Sequence, residues 1–204
     1  MVIARPFVRR RAAFIDKDGT LVENVPYNVD PARVAFTPHA IEGLRLLSAH
    51  GFRIVVVTNQ PGIGMQRFDE AALRRLQFAL QHMLAGHGVQ LDGFYACPHT
   101  PAPDGHPRCA CRKPAPGLIQ QAACALDLDL SSSWMVGDIL DDVEAAHRAG
   151  CRAVLMDVGS ETVWHLTPGR IPDRRAADLR EAAREIVAAH VVAEASETGG
   201  RHDA

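Results

Sequence analysis

The chain has neither a strong excess of one charge nor a long apolar run. Lys and Arg together number 22 and Asp and Glu together 24, which gives a formal net charge of -2 over 204 residues. Nucleic acids and anionic membranes are bound by extended basic surfaces, so we expect neither as a partner. No segment is apolar over a length that crosses a bilayer, and the Arg-rich start, residues 1–11, has no signal-peptide pattern. These absences predict a cytoplasmic protein, which we expect to be a monomer that acts on small molecules.

Cysteine is scarce, and its distribution argues against a disulfide framework. The chain has five cysteines, an odd number, and Cys97, Cys109 and Cys111 are clustered. In a reducing compartment, clustered cysteines favour metal ligation over disulfide bonds. Cys124 and Cys151 lie outside the cluster, and we expect each of them to be a small buried apolar residue.

Strand and helix patterns alternate along the chain. Apolar runs such as Ala12–Ile15 and Ile54–Val57 are separated by segments with helical spacing of leucines. This alternation specifies a mostly parallel sheet with helices on both faces, and the length suits one domain. We therefore predict a three-layer, Rossmann-like α/β domain over residues 1–193. It closes with a helix from Asp178 to about Val192, and residues 194–204 are predicted to be a disordered tail.

The pentapeptide Asp16-Lys17-Asp18-Gly19-Thr20 directly follows the first predicted strand. Two carboxylates at the end of a buried strand are costly to desolvate, which indicates a chemical site rather than a stabilising role. Their spacing lets one carboxylate attack as a nucleophile while the other handles a proton. A calcium-binding loop is the alternative, but the residues after Gly19 do not supply the further oxygen ligands that such a loop needs.

Other polar residues lie at the ends of other predicted strands. Thr58 and Asn59 end the strand that begins at Ile54, and Asp138 follows the apolar run that begins at Trp134. The carboxyl ends of parallel strands share one edge of the sheet, where open α/β sheets bind ligands. Lys113 precedes a further helix and can bring a cation to the same edge, although alone it would be read as a solvated lysine. The sequence predicts a site assembled from separate segments.

In chain order, these segments resemble the four motifs of the haloacid dehalogenase superfamily of phosphotransferases. The resemblance covers about Ala12 to Met156. It is carried by Asp16-Lys17-Asp18-Gly19-Thr20, Thr58-Asn59, Lys113-Pro114, and Gly137-Asp138 followed by Asp141-Asp142. More narrowly, three segments are similar to the zinc-containing D-glycero-D-manno-heptose 1,7-bisphosphate phosphatases and the histidinol-phosphate phosphatases. They are Val57-Thr58-Asn59-Gln60, Cys97-Pro98-His99 and Cys109-Ala110-Cys111-Arg112-Lys113-Pro114.

The resemblance implies magnesium-dependent hydrolysis of a phosphate ester. Asp16 would attack phosphorus to give an aspartyl-phosphate, and Asp18 would protonate the leaving oxygen and then activate water. Mg²⁺ would be held by Asp16, the backbone carbonyl of Asp18, and Asp138, with Asp142 orienting the water shell of the metal. The residues expected to bind the phosphate and the rest of the substrate are Thr58, Asn59, Arg112 and Lys113.

The resemblance also implies a zinc site. Three thiolates and one imidazole, from Cys97, His99, Cys109 and Cys111, suit a closed tetrahedral site that stabilises the fold rather than taking part in the reaction. The zinc loop spans 97–111 and is rich in proline, so a metal explains how it stays folded. His106 is a competing ligand, and His99 is preferred because it matches the resembled pattern.

The resembled phosphatases lack a large cap domain, and no insertion long enough for a cap follows Thr20 or Thr58. We expect an open site whose walls are the loops Glu23–Asn28 and Gln60–Phe68 together with the zinc loop. Arg112 and Arg67 are candidate cations for hydroxyl groups or for a second phosphate.

Two departures from the heptose phosphatase pattern remove positive charge near the substrate. Ile139 stands where a lysine is usual, and Met65 stands where an arginine is common. The favoured substrate is D-glycero-D-manno-heptose 1,7-bisphosphate, and the departures keep histidinol phosphate or another small phosphate ester open. A zinc-stabilised binding module without catalytic activity is the alternative from a different class.

Overall fold

Helices and strands alternate along the chain, as the sequence predicted. The computed structural model describes residues 10–102 and 109–199. Its strands are β1 (Ala12–Ile15), β2 (Arg53–Asn59), β3 (Gly93–Cys97), β4 (Trp134–Gly137), β5 (Arg152–Met156) and β6 (Arg174–Ala176). Its helices are α1 (Ala40–Ala49), α2 (Glu70–Gly86), α3 (Gly117–Leu126), α4 (Leu140–Ala149) and α5 (Leu179–Gly199). None of the helices in the described parts of the chain is long and apolar enough to cross a membrane.

The strands pair in parallel, and β1 lies near the centre of the sheet. Over the described residues the order is β3-β2-β1-β4-β5-β6, with Phe14 of β1 opposite Val55 of β2 and Met135 of β4. The strand order reverses beside β1, since β2 and β3 lie on one side and β4 to β6 on the other. Such a switch point opens a crevice at the carboxyl ends of the strands.

Alternate residues of the central strands enter two separate cores. Ala13 and Ile15 pack in a core with leucines of α1 and α2 and with Ile186 of α5, whereas Ala12 and Phe14 pack with α3 and α4. Burial on both faces is typical of a parallel strand covered by helices on each side. The three-layer arrangement predicted from the sequence is confirmed.

Helix α2 shows how local sequence sets an element that borders the site. Asp69 Oδ1 accepts a hydrogen bond from the Ala72 backbone N–H at 2.7 Å, which caps the first turn. One face of the helix buries Leu73, Leu76, Leu80 and Leu84. Each buried leucine contributes about 2 kcal/mol relative to exposure, so packing rather than helix propensity holds α2 on the sheet.

The far edge and the carboxyl end of the chain differ from the sequence prediction. β6 was not predicted, because its two arginines are exposed and only Ala176 is buried. Charged edge strands lack the apolar run by which buried strands are recognised. Helix α5 continues to Gly199, past the predicted start of a disordered tail at residue 194. The packed first turns of α5 form the helix nucleus, so extending the helix by further residues costs little free energy. The remainder of the predicted tail, residues 200–204, lies outside the described residues.

Candidate active site

The loop after β1 folds tightly back over the end of the strand. Asp16 N donates to Val136 O of β4 at 2.9 Å, and Val22 N donates to Lys17 O at 2.9 Å. Gly19 has a φ of 86°, and a Cβ at this position would overlap the carboxylate of Asp138. Only glycine therefore allows the loop to approach Asp138 this closely.

Lys113 lies between two buried carboxylates. Its Nζ is 2.5 Å from Asp16 Oδ1, 2.5 Å from Asp142 Oδ1 and 3.0 Å from Val57 O. Burial lowers the pKa of Lys113, but the charges of Asp142 and Asp16 outweigh burial and raise it above its ordinary value. The ammonium group therefore stays charged at the edge of the sheet, where the sequence predicted a cation.

Asp16, Asp138 and Asp142 form a buried acidic group. Ligand oxygens from the three carboxylates all lie within 4.8 Å of one another. Burial, followed by the negative charge of Asp16, raises the pKa of Asp138 to about 6. The ammonium of Lys113 does not balance three carboxylates, and oxygen donors so arranged are the ligands that Mg²⁺ prefers. The chemistry of this donor set fits a divalent cation.

Asp18 is held by donors on both carboxylate oxygens. Lys17 Nζ lies 2.5 Å from Oδ1, and Gln60 Nε2 donates to Oδ2 at 2.8 Å. Burial raises the pKa of Asp18 even though the positive charge of Lys17 opposes the shift. The Asp18 side chain is 29% exposed and therefore reaches the crevice. A half-buried carboxyl with a raised pKa suits a group that must hold and release a proton.

Thr58 and Asn59 reach the site, but they make different contacts. Thr58 is buried, and its hydroxyl accepts from Gln60 Nε2 at 3.0 Å. Asn59 Oδ1 accepts from Lys113 N at 3.0 Å, and Asn59 Nδ2 donates to Lys113 O at 3.1 Å. The sequence placed Asn59 with the substrate-binding residues. In the structure its amide engages the Lys113 backbone, so a positioning role fits it better than phosphate contact.

The four residues predicted to bind zinc converge. Three sulfur pairs are 3.3 to 3.7 Å apart, and His99 Nδ1 lies 3.5 Å from Cys97 Sγ and 3.2 Å from Cys111 Sγ. Sulfurs about 2.3 Å from a tetrahedral zinc lie roughly 3.8 Å apart, so these separations fit a four-coordinate site. Burial opposes ionisation of Cys109, but hydrogen bonds from the Cys111 thiol and backbone amides lower its pKa to about 7. The alternative ligand, His106, lies outside the described residues.

The two candidate substrate cations lie on the predicted walls of the crevice. Arg112 Nη1 donates to His99 O at 3.3 Å, so this arginine lies along the cysteine-rich segment. Arg67 lies over the ring of Tyr27, with 5.3 Å between the guanidinium carbon and the ring centroid. This contact joins the loop Gln60–Phe68 to the loop Glu23–Asn28.

Three residues at the site were not assigned roles from the sequence. Gln60 contacts Asp18, and the Ser160 hydroxyl hydrogen-bonds to Asp138. Glu161 Oε2 accepts from Leu140 N at 2.9 Å and so caps the first turn of α4. Ile139, which precedes α4, has no polar side chain for this purpose. The lack of a polar residue at this position is the one sequence signal that another residue must accept the hydrogen bond from α4. No motif spacing identifies Glu161 as that residue.

Comparisons with known proteins agree with this geometry. Residues 110–182 match the HAD-hydrolase-like family model. The chain is 40% identical over 138 residues to D-glycero-beta-D-manno-heptose-1,7-bisphosphate 7-phosphatase of Escherichia coli K12, covering 66% of this chain and 72% of that protein. Its identity to the Pasteurella multocida protein of the same name is 39% over 153 residues, or 74% and 83% of the two chains.

A solved structure extends the comparison to three dimensions. The D,D-heptose 1,7-bisphosphate phosphatase from B. bronchiseptica, in complex with magnesium and phosphate, superposes with a TM-score of 0.72 at 29% identity. The match covers 87% of this chain and 98% of that one. The parallel sheet, the carboxylates at its edge and these similarities define a phosphatase of the haloacid dehalogenase type. Within that class, the chain belongs to the family of the heptose 1,7-bisphosphate phosphatases.

Proposed function

We propose that this phosphatase removes the 7-phosphate of D-glycero-β-D-manno-heptose 1,7-bisphosphate by transferring it to Asp16. The observation that carries the proposal is the arrangement around that carboxylate. Lys113 Nζ lies 2.5 Å from Asp16 Oδ1, and a second carboxyl with a raised pKa follows in the same loop, at Asp18. A nucleophile, a cation and a proton donor are the groups that phosphoryl transfer to an enzyme carboxylate requires.

In the first step, a carboxylate oxygen of Asp16 attacks phosphorus. The bond from phosphorus to the sugar oxygen breaks, and its electron pair stays on that oxygen. Asp18 gives its proton to the sugar oxygen, so the leaving group departs as a neutral alcohol. The products of this step are the alcohol, an aspartyl-phosphate at Asp16 and an ionised Asp18.

In the second step, the ionised Asp18 takes a proton from water as that water attacks the phosphorus of the aspartyl-phosphate. The bond from phosphorus to the Asp16 oxygen breaks, which restores the carboxylate and releases inorganic phosphate. Asp18 ends the cycle protonated, ready for the next substrate. One group thus serves as acid and then as base, for which a raised pKa is suitable.

The surrounding residues would hold the charges of the phosphoryl group. The ammonium of Lys113 and the hydroxyl of Thr58, both buried at this edge of the sheet, would contact its oxygens. Asp16, the backbone carbonyl of Asp18, and Asp138 would hold Mg²⁺, while Asp142 keeps Lys113 in place. When bound, the ion would offset the repulsion between an anionic nucleophile and an anionic substrate.

Zinc would have a structural role in this proposal. Cys97, His99, Cys109 and Cys111 would provide a complete tetrahedral ligand set, which leaves no position for water or substrate. Arg112 N also donates to Cys109 Sγ at 3.4 Å. The ligand cluster would therefore hold the segment that leads to Lys113.

We assign the substrate from the relatives named above. Two residues keep a monophosphate open as a second candidate substrate. A bisphosphate needs cations for its other phosphate, which Arg112 and Arg67 would supply. Ile139 and Met65 lack the charge expected in the heptose phosphatase pattern, which favours a monophosphate such as histidinol phosphate. The monomeric state and the cytoplasmic location expected from the sequence remain predictions.

Phosphate release from a panel of esters tests the proposal. The panel contains both anomers of heptose 1,7-bisphosphate, histidinol phosphate and simple sugar monophosphates, each with and without Mg²⁺. We expect magnesium-dependent release with the highest kcat/KM for a heptose bisphosphate. A preference for histidinol phosphate would move the protein to the second candidate. No release from any ester would instead support a binding module without catalysis.

A further inference from the structure

Gln60 is a buried amide beside the proposed proton donor. The residue is 4% exposed, and an unpaired amide at such a site is costly. Its Nε2 donates to Asp18 Oδ2 at 2.8 Å and to Thr58 Oγ1 at 3.0 Å. When Asp18 is ionised, as it is before it takes a proton from water, its carboxylate only accepts hydrogen bonds, so in that form the nitrogen side of the amide faces Asp18. The two bonds together hold the amide in one orientation.

The backbone of Gln60 is held as firmly as its side chain. Gln60 directly follows β2, and its N–H donates to Cys97 O of β3 at 2.7 Å. This bond continues the pairing of β2 with β3 beyond the last residue of β2. The amide therefore extends from the rigid sheet rather than from the loop that follows, and it can fix the position of a partner.

Gln60 and Lys17 make different contributions to the Asp18 carboxyl. Lys17 Nζ lies 2.5 Å from Oδ1 and supplies positive charge. Gln60 is neutral, so its hydrogen bond to Oδ2 orients the Asp18 carboxyl without adding positive charge. Without Gln60, the carboxyl would keep its contact with Lys17 but could rotate about the Cβ–Cγ bond. Proton transfer requires the donor oxygen to lie within hydrogen-bond reach of the leaving oxygen, so rotation would slow that step.

We propose that Gln60 is a positioning residue that holds the Asp18 carboxyl in the orientation needed to protonate the leaving oxygen. The inference rests on the proposed role of Asp18 as proton donor. The role proposed for Gln60 differs from that of its neighbour Asn59, whose amide holds the Lys113 backbone and so acts on the phosphoryl group. Adjacent amides thus support different parts of the reaction.

Leaving-group dependence tests this division. An alkyl phosphate, either heptose 1,7-bisphosphate or histidinol phosphate according to the panel above, needs a proton on its leaving oxygen, whereas p-nitrophenolate departs without one. The ratio kcat/KM reports the steps through leaving-group release. We expect Gln60→Met to lower kcat/KM for the alkyl phosphate by about ten- to hundredfold more than for p-nitrophenyl phosphate. We expect Asn59→Ala to lower both values by similar factors.

Further variants keep the outcome unambiguous. Gln60→Leu also removes the donor at a similar side-chain size, and it replaces Gln60→Met if the latter does not fold. Gln120→Met makes the same change on the exposed face of α3 and should leave both rates unchanged. Equal losses on both substrates, or no loss, in the Gln60 variants would overturn the inference.

Asp18→Asn separates failure of this inference from failure of the proposed function. We expect it to show a larger selective loss on the alkyl phosphate than Gln60→Met. If Asp18→Asn shows the selective loss and the Gln60 variants do not, the positioning role of Gln60 is wrong, whereas the role of Asp18 as proton donor is supported. If Asp18→Asn shows no selective loss, the proposed proton donor is wrong and the inference falls with it.

Discussion

The carboxyl edge of the sheet and the cysteine cluster hold their side chains by different means. The edge proposed to be catalytic, called the catalytic edge below, consists of Asp16, Asp18, Thr58, Lys113, Asp138 and Asp142. The cysteine cluster consists of Cys97, His99, Cys109 and Cys111. At the catalytic edge, positions are set by strand pairing, and the buried charges cost stability. In the cysteine cluster, three of the four residues lie in irregular chain, so the proposed zinc ligation would hold the segment together. The comparison teaches that the first region depends on the stability of the fold, whereas the second, with zinc bound as proposed, would add to that stability.

The two regions meet at Lys113. Its ammonium belongs to the catalytic edge, but its backbone follows the cysteine cluster by two residues and is clamped by Asn59. Cys97 likewise belongs to the cluster while its carbonyl accepts from Gln60. Substitutions in the cysteine cluster should therefore affect the reaction by shifting the backbone of Lys113. Substitutions at the catalytic edge should leave the cysteine cluster intact.

The largest expected effect is loss of activity without loss of stability. Asp16→Asn removes the nucleophile, so we expect phosphate release to fall by at least about 10³-fold. The melting temperature should hold or rise, since one of three close carboxylates becomes neutral. Phosphate release and thermal melting measure the two effects. Asp69→Asn is the matched control, because asparagine caps α2 as well as aspartate does. Retained turnover in Asp16→Asn would refute the nucleophile assignment.

In the cysteine cluster, we expect loss of stability to be the main effect. Cys109→Ser should destabilise the protein by about 3 kcal/mol or more, which corresponds to roughly 10 °C in melting temperature. Stoichiometric zinc should also be lost, as measured by elemental analysis. Cys124 was predicted from the sequence to be buried, but it lies on the exposed face of α3, whereas Cys151 is buried as predicted. Cys124→Ser should therefore change neither property. An unaltered melting temperature in Cys109→Ser would show that the cluster does not support the fold.

The junction between the regions should show a smaller effect on activity. Asn59→Ala removes both hydrogen bonds to the Lys113 backbone, so the ammonium becomes less well placed for the phosphoryl group. We expect kcat/KM to fall by about ten- to hundredfold with zinc content unchanged. Wild-type kinetics in this variant would show that Asp16 and Asp142 position Lys113 without help from Asn59.

The smallest expected effect concerns the cap of α4. Glu161→Ala removes the acceptor for Leu140 N, which should cost about 1 kcal/mol, or roughly 2 to 4 °C in melting temperature. Activity should fall only slightly, since Asp138 lies two residues before the capped position. Glu161→Gln keeps an acceptor oxygen and should lose less stability. Equal melting temperatures for the alanine and glutamine variants would argue against capping by Glu161.

Much of the fold and of the catalytic edge could be predicted because both follow from local rules. Buried parallel strands are apolar runs, and the rule that ligand groups gather at strand ends placed Asp16, Thr58 and Asp138 together. Contacts between loops follow no such rule. The partner of Asn59, the contacts of Gln60 with Asp18, and the cap from Glu161 depend on loop conformations that only the folded chain defines.

Formation of an acyl phosphate on Asp16 is the central claim, and a burst measurement tests it most directly. In Asp18→Asn, p-nitrophenyl phosphate should still transfer its phosphoryl group, but hydrolysis of the aspartyl-phosphate should lack its base. We predict a burst of p-nitrophenol approaching one equivalent per enzyme, with the added phosphate on the peptide that contains Asp16 by mass spectrometry. The burst should vanish when Asp16→Asn is added. Absence of a burst together with an unmodified Asp16 peptide, while p-nitrophenol is still released, would contradict the account.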